Sequence, residues 1–213
     1  MASQQEKRNP YILGITGTIG SGKSTVGKIL QSLSIPVIDT DHIVHDLLDK
    51  DSAVVATIRD RFGESVLKNN ETGSLVVDRK ALGQIVFDDP RAKKDLEEIV
   101  HPATILACRK QIAEKKGAPV VAVLVPLLFE AKLESEYDEI WTIYTKEEIL
   151  VSRLAKRDSM TLEEIQKRLQ AQMPQEEKNR RAEHVIDNSG TRAETEKQIK
   201  TLVSKVTSGD RFK

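Results

Sequence analysis

At 213 residues the chain suits one compact domain with a small insertion, and is long enough to bury a real core. Lys plus Arg and Asp plus Glu each number 33, so no global basic field draws it to nucleic acid or an anionic membrane, and any positive charge that matters is local. The one cysteine, Cys108, cannot form an internal disulfide; its apolar helical surroundings predict a buried, inert thiol in a reducing compartment.

The N-terminal MASQQEKRNP is polar and lacks an apolar signal segment. The longest apolar run, Val120 to Phe129, is too short to span a bilayer and contains Pro126, so a soluble cytoplasmic protein is expected. Tyr11 to Thr16 reads as a short buried strand, followed by a glycine-rich turn and a helix marked by Val26, Ile29, Leu30 and Leu33. Pro36 to Asp39 is a second strand. Asp41 to about Gly117 reads as nearly all helical, including a stripe at Leu96, Ile99, Val100 and Ala103, and suggests a helical insertion beside the sheet. Val120 to Pro126 and Glu139 to Thr145 are the third and fourth strands. Arg153 to Arg181 is helical and unusually basic, with a capping box at Thr161 and Glu164 and another helix start at Pro174. His184 to Asn188 is the fifth strand, and Ile199, Leu202, Val203 and Val206 mark the last helix. Strands alternating with helices predict a parallel sheet covered on both faces.

Gly17 to Ser24, GTIGSGKS, satisfies G-x-x-x-x-G-K-[ST] directly after a strand and at the opening of a helix, where a phosphate-binding loop belongs. Glycines let successive backbone N–H groups turn inward on phosphate oxygens, and the helix N-terminus adds partial positive charge. Lys23 is placed to reach the β- and γ-phosphates and Ser24 to ligate Mg²⁺, so the chain is expected to bind a nucleoside triphosphate. A GTP switch is disfavoured because no N-K-x-D occurs and the two D-x-x-G matches, at Asp60 and Asp187, sit badly. A DNA-coupled ATPase is disfavoured by size and by an aromatic content of only 4%.

A small-molecule kinase asks for a phosphate loop, an acceptor pocket, a positioning carboxylate and a basic lid. In PVIDTDHIVHDLL, Asp39 ends an apolar strand and Asp41 follows by two, at the sheet edge where open α/β folds bind ligands. Either acid could meet Mg²⁺ or an acceptor hydroxyl; Asp39 alone could instead cap the following helix. Arg153 and Arg157, four apart on one helical face, could close over the phosphates.

Together, GITGTIGSGKSTV, VIDTDHIVH, RKALGQIVF, LEEIVHPAT, VPLLFE and AEHVIDNSG resemble the dephospho-CoA kinase family from about Ile12 to Val206. The resemblance implies a three-layer α/β/α P-loop NTPase fold with a five-stranded parallel sheet. Residues 1–40, 118–152 and 183–213 would form the nucleotide core, 41–117 a helical acceptor region and 153–182 a lid. It further implies transfer of the γ-phosphoryl group of ATP to the ribose 3′-hydroxyl of dephospho-CoA, with Mg²⁺. Gly20, Ser21, Gly22, Lys23, Ser24 and Thr25 would cradle ATP, with Ser24 on the metal. Asp41 would orient or deprotonate the acceptor hydroxyl, Arg79 and His101 would face the acceptor, Arg153 and Arg157 would bind phosphate from the lid, and Asn188 and Gly190 would lie near the adenine. Asp41, Lys23 and Arg153 would carry the catalysis, in a monomer with no nucleic-acid or membrane partner. His101 before Pro102 could equally be a packed residue at a kink, and Glu130 and Lys178 read as structural. Two departures from the family pattern are Thr40 between the two acids, where Ala is usual, and Leu124, where many members have Asp. The second predicts no metal ligand from Val121 to Val125. A nucleoside monophosphate kinase is the competing reading.

Overall fold

Tyr11–Thr16 (β1) alternates so that Leu13 and Ile15 enter one apolar cluster, while an added Cβ on Gly14 would meet Tyr137 and Leu128 on the other side. The computed structural model to which β1 belongs describes residues 10–208; the N-terminal stretch read as lacking a signal segment therefore lies, but for Pro10, outside the described residues. Lys23–Ser32 (α1) follows the glycine-rich turn, and Val37–Asp39 (β2) follows α1. Then come Thr40–Lys50 (α2), Ser52–Phe62 (α3), Leu67–Asn69 (β3), Leu75–Val77 (β4), Arg79–Asp88 (α4) and Pro90–Glu114 (α5). The chain continues through Val120–Leu124 (β5), Glu139–Tyr144 (β6), Glu147–Asp158 (α6), Leu162–Gln170 (α7), Gln175–Arg181 (α8), His184–Asp187 (β7) and Arg192–Thr207 (α9). Residues 10–39 and 112–208 make up one compact unit, and Thr40–Gln111 a second.

The first unit is built on a five-stranded sheet of order β2-β5-β1-β6-β7 in which every neighbouring pair is parallel. All five residues of β5 are buried, as a strand covered on both faces requires, and this accounts for its unbroken apolar run. On one face Leu13, Ile15, Val120, Ala122, Leu124, Trp141 and Ile143 pack with Val26, Ile29 and Leu30 of α1 and Ile199 and Val206 of α9. At about 1.5–3 kcal/mol per fully buried large apolar side chain, this layer is a main source of stability. The opposite face carries Leu128 and Phe129, and α8 lies there with Arg181 stacked on the Phe129 ring. The expected five strands and two covered faces are therefore present, and Cys108 is buried in α5.

The second unit is mostly helical, as expected, and carries in addition a short hairpin that was not expected: β3 and β4 pair antiparallel. Their turn is set by Asn70, whose Oδ1 accepts from the Thr72 and Ser74 N–H groups, and by Gly73 at φ 80°. The strands carry Val76 and Val77, and Val77 joins Leu48, Val54, Val55, Ile58, Val66, Leu82 and Val100 in the core of this unit. The other helices conform: α5 continues through Pro102, and α7 opens with the Thr161–Glu164 capping box.

α9 opens with a second capping box, in which Thr191 accepts from the Glu194 N–H and Glu194 accepts from the Thr191 N–H. Its backbone hydrogen bond holds the Glu194 carboxyl below the usual carboxylate range. Thr191→Ala should cost about 1 kcal/mol and lower the thermal midpoint by roughly 2–4 °C, read by circular dichroism. Among the described residues, no helix is long and apolar enough to cross a membrane.

Candidate active site

The phosphate-loop sequence becomes a fixed turn because glycine is required at its two sharpest points. Gly20 and Gly22 have φ of 78° and 99°, in the left-handed region that side chains resist. At Gly22 a Cβ would also collide with the Asn188 amide, and at Gly20 it would come 3.0 Å from Leu154. Gly22 is the N-cap of α1 and has no side chain to cap it, so the first N–H groups of the helix open toward the loop. Lys23 arches back, its Nζ donating to Gly17 O at 2.7 Å and Thr18 O at 3.1 Å. The hydroxyls of Thr18 and Ser21 are buried in the loop with no hydrogen-bond partner. Unsatisfied buried hydroxyls beside open backbone donors suit an anion with many oxygens.

Ser21 O is held from two sides, by the Thr145 hydroxyl at 3.0 Å and the Asn188 Nδ2 at 2.8 Å. Asn188 is buried, and its Oδ1 accepts from the Thr195 hydroxyl at 3.0 Å. Its amide is thus spent on the loop and on α9. Arg153 joins this cluster: its guanidinium donates to Asn188 O at 2.9 Å and to the Thr145 hydroxyl at 3.5 Å, and lies 3.8 Å from a Cβ built on Gly22. Arg157, one turn further along α6, is exposed and forms a bidentate pair with Asp158, at 2.8 and 2.7 Å. The structure therefore brings Lys23, Arg153 and Asn188 together at the loop and turns Arg157 to its neighbour. Gly190 borders a cleft of about 800 Å³ with Lys146, Ser189 and Lys197, and a side chain there would strike Glu194. A second cleft, of about 870 Å³, runs past Thr18, Lys146, Gln172 and Gln175. Both volumes are in the range of small-molecule sites.

Asp39 ends β2 beside Leu124 of β5 in the parallel register. The Leu124 side chain reaches to 3.0 Å from a Cβ built on Gly27, so it fills the α1 side of the core. In the second unit, Asp41 is exposed in the first turn of α2 and Arg79 is exposed at the start of α4. His101 is exposed within α5, which removes the reading of a packed histidine at the proline.

The residues also suit Mg²⁺ arriving with a nucleotide. Ser24 is exposed in the first turn of α1, and among the described residues no group of three or more His, Cys, Asp or Glu is placed to hold a metal ion. Mg²⁺ keeps several waters and takes one or two protein ligands beside phosphates, a donor set that one hydroxyl and a triphosphate satisfy.

Several contributors escaped sequence reasoning. Thr145 is the first residue after β6, and Gln172 and Gln175 come from the lid stretch; none belongs to a motif. Lys178 is fully buried on Glu130 at 2.8 Å, and burial pushes its ammonium pKa down against the opposing pull of that carboxylate. Both partners were read from the sequence as structural, with no sign there that they pair.

The family model for dephospho-CoA kinase matches residues 11–194, and so spans the phosphate loop, the second unit and the stretch ending at α9. A dephospho-CoA kinase of Carboxydothermus hydrogenoformans is 42% identical over 196 residues, covering 91% of this chain and 93% of that protein. A solved protein of Thermus thermophilus superposes with a TM-score of 0.80 at 34% identity, and a dephospho-CoA kinase from Campylobacter jejuni with 0.68 at 31%; each comparison covers 93% of this chain and 98% of the other. The chain belongs to the dephospho-CoA kinase family.

Proposed function

We propose that the chain phosphorylates the ribose 3′-hydroxyl of dephospho-CoA with ATP, giving coenzyme A and ADP, the last step of coenzyme A synthesis. The family match over 11–194 carries this reading, and the loop geometry supports it. In the proposed reaction the 3′ oxygen bonds to the γ-phosphorus as the bond from that phosphorus to the β,γ-bridging oxygen breaks. The hydroxyl proton passes to the Asp41 carboxylate. Lys23 and the open N–H groups of α1 balance the charge that spreads over the equatorial oxygens, and Arg153 adds positive charge beside Gly22. Arg79 and His101 are assigned to the acceptor, and Gly20 to Thr25, Arg157, Asn188 and Gly190 to ATP, Asn188 acting by fixing Ser21. Ser24 would hold Mg²⁺, which when bound offsets phosphate charge. We further assign a monomer acting in the cytoplasm, the reducing compartment that the single, buried thiol of Cys108 favours.

The test is a coupled ADP-release assay with dephospho-CoA, with nucleoside monophosphates and with no acceptor. Turnover should require dephospho-CoA. Preference for a nucleoside monophosphate would overturn the acceptor assignment, and equal turnover with no acceptor would make the protein an ATPase.

A further inference from the structure

Lys178 is the one lysine among the described buried residues, and nothing in phosphoryl transfer itself uses it. Its neighbours show what its burial achieves. The ammonium donates to Glu130 and to Pro126 O at 3.2 Å, and that same carbonyl accepts from the Thr16 hydroxyl at 3.3 Å. Thr16 is the last residue of β1, immediately before the loop. Glu130 in turn accepts from the Met173 N–H at 2.8 Å, which fixes the segment between α7 and α8. From that segment Gln172 Oε1 accepts from the Ile19 N–H of the loop at 2.9 Å. Gln175 clasps the main chain of Thr145, accepting from its N–H at 2.9 Å and donating to its carbonyl at 3.0 Å, and the Thr145 hydroxyl holds Ser21 O.

We propose that Lys178 is a positioning residue that, with Glu130, anchors the 172–178 strap and thereby fixes the phosphate loop at Thr16, Ile19 and Ser21. The proposal deepens the assignment of that loop to ATP and rests on it. A strap of this kind has a definite physical consequence. The loop's backbone donors act on phosphate only in one arrangement, and donors held there in advance need no reorganisation when the nucleotide binds or reacts. The anchor is a charge pair rather than an apolar contact, and a buried ammonium is tolerated only where its hydrogen bonds are satisfied, which ties α8 to one position. It also divides the basic stretch. Residues 172–178 belong to the fixed scaffold of the loop, whereas α7 and the end of α6 carry no such tie to Glu130.

The test uses the full chain and two readouts: Kd for the fluorescent analogue mant-ATP with Mg²⁺, and the KM values for ATP and dephospho-CoA. Gln172→Ala removes the Ile19 contact, and Lys178→Met removes the anchor. Both are expected to raise the mant-ATP Kd and the ATP KM about tenfold, with the dephospho-CoA KM within about twofold of wild type, the size of effect a small misplacement of binding groups produces. ATP constants within twofold of wild type in both variants would overturn the proposal, and so would parallel rises in the two KM values. If Lys178→Met does not fold, Gln172→Ala decides by the same criteria. If the wild type ignores dephospho-CoA while mant-ATP still weakens in the variants, the strap stands and the acceptor assignment falls.

Discussion

Lys23→Ala should abolish turnover, with a fall in kcat of at least about 10²–10³-fold, the loss that follows removal of one preorganised group from a developing anionic centre. Its ammonium is the flexible charge of the loop, reaching Gly17 O and Thr18 O across the turn, and it can move from these carbonyls to phosphate without disturbing the glycines. Ser21 remains held by Thr145 and Asn188 in the variant, so the turn itself should persist. The measurement is initial velocity at saturating ATP and dephospho-CoA, with far-ultraviolet circular dichroism to establish that the sheet is intact. Near-normal velocity in a folded Lys23→Ala protein would contradict the assignment of the loop to phosphoryl transfer.

Asp41→Asn should lower kcat by about 10²–10⁴-fold, the usual worth of a general base, while mant-ATP binds as in the wild type. The substitution keeps shape and removes the basic oxygen, and the side chain is exposed at the start of α2, so the fold should tolerate it. The two variants then separate the halves of the reaction. Loss at Lys23 lies on the donor side and should extend to nucleotide affinity, whereas loss at Asp41 lies on the acceptor side and should appear in kcat alone. A folded Asp41→Asn enzyme with near wild-type turnover would shift the proton to another group.

The sheet was readable because burial on both faces leaves an unbroken apolar run, as in Val120–Leu124, and the phosphate loop because its demands are local and glycine-specific. The β3–β4 hairpin was not, since three-residue strands are too short for a period of two to show. The same limit governs the site. Lys23 and Ser24 follow from spacing within one motif, but the pairing of Glu130 with Lys178 and of Ile19 with Gln172 joins residues far apart in the chain. Arg153 and Arg157 look equivalent at four-residue spacing; a single acid, Asp158, draws Arg157 aside and leaves Arg153 at the loop. Leu124 was legible only as a departure from the family pattern, and Gly27 opposite it supplies the reason for its size.

The bond from Asn188 to Ser21 joins positions 167 residues apart, and Asn188 follows directly on β7, the strand at the edge of the sheet. Synthesis on the ribosome runs from the N-terminus and is slow beside local folding, so the loop sequence emerges long before its clamp. A nascent chain that ends before β7 has the glycines and Lys23 but not the amide that fixes Ser21, nor the Thr195 hydroxyl that orients that amide. Nucleotide affinity should therefore be acquired late in translation, once β7 and the residues that follow it have been made.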